Sequence, residues 1–304
     1  MQIRLKKLIS SLLIAFVTFN LFAMPNLPQK KESQIIHVDG VARTYMLYVP
    51  ENSNKGKMPL VIALHGAGGT AAGLQQLTGF DSLAEIQKFI VVYPQGIDNK
   101  WNDGRGRNEQ IDDVNFIREL IKSISSAYPV DGSRIYATGI SNGGFFTMRL
   151  ACELADKLAA VASVSATVEE VIDQNCQTTT PISVLLIHGT RDPVVSIDGG
   201  KVARLPQSII LSHQEAISRW VHRDNCNTTP VVTAVPDGAH DGTFILKTAY
   251  SNGKNNTEVI SYVIDKGGHT WPGSAGSESS LLGKTTHNLN GTQVIWEFFK
   301  RHTK

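Results

Sequence analysis

Residues 134–146 read RIYATGISNGGFF, and this stretch decides the fold. Its first half is a run of apolar and small residues typical of a buried strand, and a helical pattern follows. Ser141 lies between the two, with Gly139 and Gly143 two residues away on either side. A serine at a turn from strand to helix is the G-x-S-x-G pattern of an elbow that presents a nucleophile. A glycine-rich connection without catalytic function has the same five-residue pattern, so the motif needs partners elsewhere in the chain.

The two glycines have a steric explanation in this setting. The serine must occupy a sharp, strained turn, and side chains at positions 139 and 143 would collide with the neighbouring strand and helix. The same turn places the backbone N–H of Asn142 at a helix N-terminus, where it can donate to a developing oxyanion.

Near-continuous apolar runs recur along the chain and predict strands buried on both faces. The runs occupy residues 43–50, 59–66, 89–96, 134–141, 159–166, 183–190 and 258–264. Helical stripes lie between several of them, one through Ile117, Leu120 and Ile124 and another through Met148 and Ala151. This alternation predicts an α/β fold with a mostly parallel central sheet, helices on both faces, and functional sites at the carboxyl ends of the strands.

The elbow needs two partners, because a serine hydroxyl is a weak nucleophile without a base and a carboxylate that orients the base. In this fold they follow in the order serine, acid, histidine. Asp192 follows the run 183–190 and precedes Pro193, which can fix the chain there. His269 follows the run 258–264. We therefore predict Ser141, Asp192 and His269 as the catalytic residues.

Other acids and histidines are alternatives for these roles. Asp198 lies in the same loop as Asp192, and Asp265 is close in sequence to His269. His65 and His188 also follow predicted strands, but both precede Asp192, which is the wrong order for the base.

A second oxyanion donor is expected in the loop after an early strand. Residues 65–69 read HGAGG, and so few side chains allow backbone N–H groups to approach a substrate carbonyl. The amides of Gly66 and Ala67 are both candidates. A plain glycine-rich turn is the alternative.

The composition bounds the class of protein. The chain has 304 residues, 41% hydrophobic and 18% charged, which suits one sizeable globular domain. We predict a signal peptide at residues 1–23, a polar leader at 24–34 and a single catalytic domain at 35–304. A membrane anchor is the alternative for the first segment, but its apolar run is short and is broken by polar residues.

Charge and residue clusters exclude several partners. Removal of residues 1–23, which hold three basic and no acidic residues, changes the formal net charge from +2 to −1. We therefore expect neither a nucleic acid nor, after signal cleavage, a membrane as partner. No group of cysteines and histidines has the spacing of metal ligands, so we expect no metal and no organic cofactor.

A series of motifs in one consistent order resembles a known family. The motifs are RTYMLYVP, PLVIALHGAGGT, FIVVYPQG, WNDGRG, DDVNFI, YATGISNGGFFTMRLACELAD, IHGTRDPVV, GGHTWPG and VIWEFFKRH. Together they resemble the secreted esterases that include polyhydroxybutyrate depolymerases and feruloyl and acetylxylan esterases. The resemblance implies an α/β-hydrolase fold without a large lid and a serine esterase in which Ser141, Asp192 and His269 form the triad.

The cysteines depart from the family pattern. Cys152, Cys176 and Cys226 allow three single pairings, and secretion favours disulfide formation. Members of the family commonly carry a further cysteine as partner for the one that is here Cys226, and this chain lacks it. The resemblance therefore implies a Cys152–Cys176 disulfide and a free Cys226.

The expected function is hydrolysis of an external carboxylic ester by a secreted or periplasmic monomer. We expect short-chain or hydroxycinnamoyl esters, linked to polysaccharide or derived from polyester, and hydroxybutyrate oligomers. Trp101, Trp271 and His65 are predicted to contact the substrate, with packing as the alternative for the two tryptophans. A serine peptidase on the same fold and a non-catalytic secreted binding protein are the alternative functions.

Overall fold

A computed structural model describes residues 33–51, 56–106, 109–202, 205–275 and 281–304. The predicted signal peptide and nearly all of the predicted leader lie outside these residues. Gln34, the last residue assigned to the leader, already begins the first strand. Among the described residues, no helix is long and apolar enough to cross a membrane.

The described residues contain a ten-stranded sheet and a separate two-stranded sheet. In chain order the strands are β1 (Gln34–Val38), β2 (Val41–Tyr48), β3 (Met58–Leu64), β4 (Ile90–Pro94), β5 (Val130–Ile140), β6 (Ala160–Val164), β7 (Ser183–Gly189), β8 (Gly200–Val202), β9 (Leu205–Ile210), β10 (Val231–Val235), β11 (Phe244–Tyr250) and β12 (Val259–Asp265). Strands β8 and β9 form the small sheet.

The large sheet has the predicted, mostly parallel arrangement. Its order is β1-β2-β4-β3-β5-β6-β7-β12-β11-β10. The strands from β4 through β12 in this order are parallel, and the two edges are antiparallel. The seven predicted runs all contain strands of this sheet. The prediction missed the edge strands β1 and β10 and the strand β11 beside β10.

Helices cover both faces of the sheet, as predicted. They are α1 (Ala71–Thr78), α2 (Phe80–Gln87), α3 (Asp113–Ala127), α4 (Asn142–Glu153), α5 (Glu170–Asn175), α6 (His213–Arg223) and α7 (Gly291–Phe299). A hydrophobic core lies on each face of the sheet, and strand β3 contributes to both. Its residues Leu60 and Ile62 pack beneath α3 and α6. Its residues Val61 and Ala63 pack on the other face, beneath α1, α2 and α7. Because successive side chains of a strand point to opposite faces, a strand covered on both sides must be apolar throughout.

The predicted disulfide is present. Cys152 in α4 is bonded to Cys176, which directly follows α5, and Cys226 is free and buried. The bond ties the end of the helix that begins at the elbow to the segment after β6. Closing this loop stabilises the folded state by about 3 kcal/mol in the chain-entropy model.

The segment between β7 and α6 contributes to the site without forming a large lid in the described part of the chain. It folds into the small sheet of β8 and β9, and Val202 at the end of β8 faces the cleft that contains Ser141. The parallel strands β5, β7 and β12 end at the same edge of the large sheet, so the residues that follow them are brought together.

Candidate active site

Ser141 occupies the strained turn that the sequence predicts. It lies between the last residue of β5 and the first residue of α4, with φ 56° and ψ −124°. A positive φ is costly for a residue with a side chain, so the surroundings must impose it. The Ser141 N–H donates to the Val164 carbonyl at 2.9 Å, and the Ser141 carbonyl accepts from the Phe145 N–H at 2.9 Å. Both backbone groups of the serine are therefore satisfied in this conformation.

The flanking glycines allow the elbow to approach the end of β3. A Cβ atom at Gly143 would collide with the backbone carbonyl oxygens of Leu64 and His65. A Cβ atom at Gly139 would collide with the backbone of Gly143 itself. The predicted steric reason for both glycines is therefore confirmed.

Asp192 and His269 form a hydrogen-bonded pair. The Nδ1 atom of His269 lies 2.7 Å from Oδ2 of Asp192, and the Asp192 side chain is fully buried. Oδ1 of Asp192 accepts from the backbone N–H groups of Val194 and Val195, each at 2.8 Å. These donors fix the carboxylate with one oxygen directed at the imidazole, so Nδ1 of His269 is the protonated nitrogen and Nε2 is free to accept a proton.

The pKa of Asp192 reflects this arrangement. Burial alone would raise the pKa, but hydrogen bonds from His188 and His269 outweigh it and hold the pKa well below its usual range. The carboxylate thus stays ionised throughout the pH range in which a histidine base is neutral. It can therefore stabilise an imidazolium at His269.

The alternative acids and histidines have other roles. Nε2 of His188 lies 3.0 Å from the Val195 carbonyl and 3.4 Å from Oδ2 of Asp192. This buried histidine therefore packs against the carboxylate of Asp192 and helps to fix its position. Asp198 is exposed, and Oδ1 of Asp265 accepts from the Thr190 hydroxyl at 3.1 Å. None of the three occupies the position of the pair formed by Asp192 and His269.

Ser141 and His269 line one cleft of about 460 Å³. The cleft is also lined by Ala67, Arg105, Asn142, Pro193, Val194, Val195, Val202, Leu281 and Leu282. The three predicted catalytic residues thus come from the carboxyl ends of β5, β7 and β12, with Asp192 buried behind His269. Most of the wall is apolar, which suits the hydrocarbon part of an acyl group.

Two of the predicted oxyanion residues, Ala67 and Asn142, lie at this cleft, and Gly66 adjoins the nucleophile. A Cβ atom at Gly66 would be 3.3 Å from Cβ of Ser141, which shows how closely the loop approaches. In the same loop, the amide of Gly68 donates to the Asn99 carbonyl and that of Gly69 to the Gly66 carbonyl. Those two amides are engaged, whereas Ala67 faces the cleft.

The prediction that Trp101, Trp271 and His65 contact the substrate is wrong for this structure. Trp101 is fully buried, stacks on Phe146 at 5.3 Å between ring centroids, and donates from Nε1 to the His65 carbonyl at 2.8 Å. Trp271 is 2% exposed and donates from Nε1 to the Thr292 hydroxyl at 3.0 Å. Both rings are packed beneath the loops of the site, which is the alternative considered from the sequence.

His65 is also buried, and both of its ring nitrogens are engaged by backbone groups. Its Nδ1 lies 2.8 Å from the Gly66 carbonyl, and its Nε2 accepts from the Gly96 N–H at 3.0 Å. Burial lowers its pKa, which favours the neutral ring. His65 therefore braces the loop 65–69 from inside.

Sequence reasoning missed the polar network behind Asn142. The side chain of Asn142 accepts from the Trp101 N–H at 2.8 Å and donates to the carboxylate of Asp103. Asp103 is in turn paired with Arg105, which lines the cleft. The sequence signals for this network are the position of Asn142 after the serine and the motif WNDGRG at residues 101–106, which contributed to the prediction only as part of the family resemblance.

Comparisons with known proteins agree with the fold. The structure of an acetyl xylan esterase from Aspergillus awamori aligns with a TM-score of 0.56 at 17% identity, over 79% of this chain and 94% of that one. A thermostable esterase aligns with a TM-score of 0.56 at 19% identity, over 90% of this chain and 63% of that one. These likenesses show an α/β-hydrolase fold.

The sequence comparisons define the family. A protein called "Putative esterase NocK" from Nocardia uniformis subsp. tsuyamanensis is 28% identical over 86% of this chain and 80% of its own length. A "Probable feruloyl esterase C" from Aspergillus terreus is 27% identical over 84% and 83%. Residues 43–222 match the family described as "Esterase PHB depolymerase". The chain belongs to this family and is a carboxylic ester hydrolase.

The pair formed by Asp192 and His269 generates a direct prediction. The variant Asp192→Asn should lose about 10,000-fold in kcat on a simple ester, because an amide no longer holds Nδ1 of His269 protonated and Nε2 available. Steady-state kinetics of the purified variant measure this loss, and circular dichroism verifies folding.

The matched control is Asp198→Asn, which removes an exposed carboxylate from the same loop. It should retain wild-type kcat. Comparable losses in both variants, or full activity in Asp192→Asn, would contradict the assignment of the acid.

Proposed function

We propose that the protein is a secreted serine esterase that acts through a Ser141–His269–Asp192 triad and an acyl-enzyme. The observation that carries the proposal is the 2.7 Å hydrogen bond between Asp192 and His269, with His269 in the same cleft as a serine on a strained elbow. A buried carboxylate and an imidazole are the groups that activate a serine hydroxyl, which here lines the cleft.

In the proposed mechanism, Nε2 of His269 removes the proton from the Ser141 hydroxyl as Oγ attacks the ester carbonyl. Asp192 stabilises the imidazolium that forms. When the tetrahedral intermediate collapses, the imidazolium gives its proton to the leaving alcohol and the acyl group remains on Ser141. Water, deprotonated by His269, then releases the carboxylic acid and restores the serine.

The backbone N–H of Asn142 and the N–H of Ala67 are the proposed oxyanion donors. Asn142 is the first residue of α4, so its amide lacks a partner within the helix, and the positive end of the helix favours negative charge there. Ala67 is preferred to Gly66 because it lines the cleft, while the neighbouring amides of Gly68 and Gly69 are engaged. All groups in this mechanism come from one chain, so a monomer suffices.

The proposed substrates are esters of short-chain, hydroxybutyric or hydroxycinnamic acids. A cleft of about 460 Å³ accommodates a short acyl group or one aromatic ring with its linker. Relatives named feruloyl esterase and acetyl xylan esterase support substrates of this size. An ester linked to polysaccharide or released from a polyester fits this class.

Secretion of the enzyme is part of the proposal. Residues 1–23 carry the pattern of a signal peptide, and the Cys152–Cys176 disulfide suits an oxidising compartment. The compartment is therefore the periplasm or the exterior of the cell.

The nucleophile can be tested directly. Ser141→Ala should lose about 10,000-fold or more in kcat/KM on a butyrate ester and should no longer react with a fluorophosphonate probe, because the acylated oxygen is gone. The control is Ser126→Ala, which removes an exposed hydroxyl on α3 and should leave both readouts unchanged. Retention of esterase activity by folded Ser141→Ala would end the proposal.

The substrate class has its own test. Among acetyl, butyryl, long-chain and feruloyl esters, hydroxybutyrate trimer and a chromogenic peptide, kcat/KM should be highest for the short, feruloyl and hydroxybutyryl substrates. The reason is the limited volume of the apolar cleft. A clear preference for long acyl chains, or for the peptide over every ester, would contradict this assignment.

A further inference from the structure

Arg105 is a buried cation in the wall of an otherwise largely apolar cleft. The residue is 5% exposed and lines the same space as Ser141, Asn142 and His269. Most of the remaining wall is formed by Ala67 and by valine, leucine and proline side chains. Burial of a guanidinium costs free energy of folding unless the group is paired and hydrogen-bonded. A buried arginine in the wall of this cleft therefore suggests a function in binding.

We propose that Arg105 donates a hydrogen bond to a neutral oxygen on the acyl chain of the substrate, a few bonds from the scissile carbonyl. Esters of hydroxyacyl or oxoacyl groups would then be preferred to plain alkanoyl esters of the same length. The inference rests on the proposed function, since it assumes that the acyl group lies in the cleft beside Ser141.

The guanidinium of Arg105 is held in one orientation. Its Nε and Nη2 donate to Oδ2 of Asp103 at 2.9 and 2.6 Å, and its plane lies over the Phe145 ring at 3.6 Å from the centroid. Asp103 is fully buried and also accepts from the Asn142 side chain. A donor fixed in this way loses little conformational entropy when it binds a ligand.

Arg105 lies close to the elbow that carries Ser141, so the oxygen that it binds belongs to the acyl part of the substrate. Phe145, on which the guanidinium rests, follows Ser141 by four residues and lies in the first turn of α4. The N–H of Phe145 donates to the Ser141 carbonyl, which places that turn directly behind the elbow. Arg105 thus lines the cleft close to the elbow, and we choose an oxygen on the third carbon of the acyl chain as the position to test.

The surrounding charge favours a neutral oxygen over a carboxylate. Asp103 already neutralises Arg105, and the buried Glu169 adds a carboxyl group close by. Burial is the main cause that raises the pKa of Glu169, and the charge of Asp103 adds to the effect, as expected where a carboxylate is poorly solvated. A free carboxylate on the substrate would gain little here, whereas a hydroxyl, ether or carbonyl oxygen can accept a hydrogen bond.

The test compares acyl groups of matched length within each variant. Substrates are the methyl esters of butyric, 3-hydroxybutyric and 3-methoxybutyric acids and monomethyl succinate, followed by proton release. The readout is the ratio of kcat/KM for each substrate to that for methyl butyrate. This ratio is independent of the fraction of each preparation that is folded.

The wild type should prefer 3-hydroxybutyrate to butyrate by about tenfold or more, the range of a hydrogen bond to a charged donor. The 3-methoxy ester should keep part of the preference because its oxygen still accepts, and monomethyl succinate should show none. In Arg105→Gln the ratio should fall close to one, and Arg105→Lys should give an intermediate value since it keeps the charge and loses the planar fork. The control Arg118→Gln removes an exposed charge on α3 and should leave every ratio unchanged.

Three results would overturn the inference: a wild type without preference for the oxygenated acyl groups, a preference for monomethyl succinate, or equal losses on all esters in Arg105→Gln. The last result would assign Arg105 only to holding the loop 101–106 in place. In each case methyl butyrate would still be hydrolysed in a Ser141-dependent manner, which separates failure of this inference from failure of the proposed function.

Discussion

The close approach of α4 to the end of β3 is the constraint on which the site depends. A Cβ atom at Gly143 would collide with the Leu64 carbonyl, so only glycine at this position allows α4 to lie this close to β3. This contact forces Ser141 to a positive φ and brings the first amide of α4 beside the loop 65–69. The packing of the surrounding sheet offsets the conformational free energy of the strained turn. One steric condition thus sets the positions of the proposed nucleophile and the proposed oxyanion donors together.

A second set of interactions connects this elbow to the substrate cleft. The side chain of Asn142 holds the backbone of Trp101 and the carboxylate of Asp103, and Asp103 orients Arg105. Beneath them, Trp101 fills the space between His65 and Phe146. In the proposed mechanism, the backbone N–H of Asn142 therefore serves the oxyanion, while its side chain orders the loop that carries Arg105. The proposals for catalysis and for acyl selectivity thus both involve Asn142.

The fold could be predicted, and the triad proposed, because each leaves a local sequence signal. Apolar runs mark strands that are covered on both faces, and Asp192 and His269 follow two of them in the order that the fold requires. The edge strand β10 was not predicted: it reads VVTAV, an apolar run of only five residues, and most of its side chains are exposed. The direction of a side chain also leaves no local sequence signal. The sequence places Trp101 near the site but does not show that its ring is buried in the core. It likewise does not show that Arg105, four residues later, lines the cleft.

The most direct test of the account is identification of the acyl-enzyme. The protein is mixed with excess of an activated butyrate ester, quenched in acid within milliseconds and examined by mass spectrometry, intact and after digestion with trypsin. The account predicts one butyryl group per chain, on the peptide of residues 135–149 and at Ser141 within it. Ester consumption without a covalent adduct, or an adduct on another residue, would contradict it.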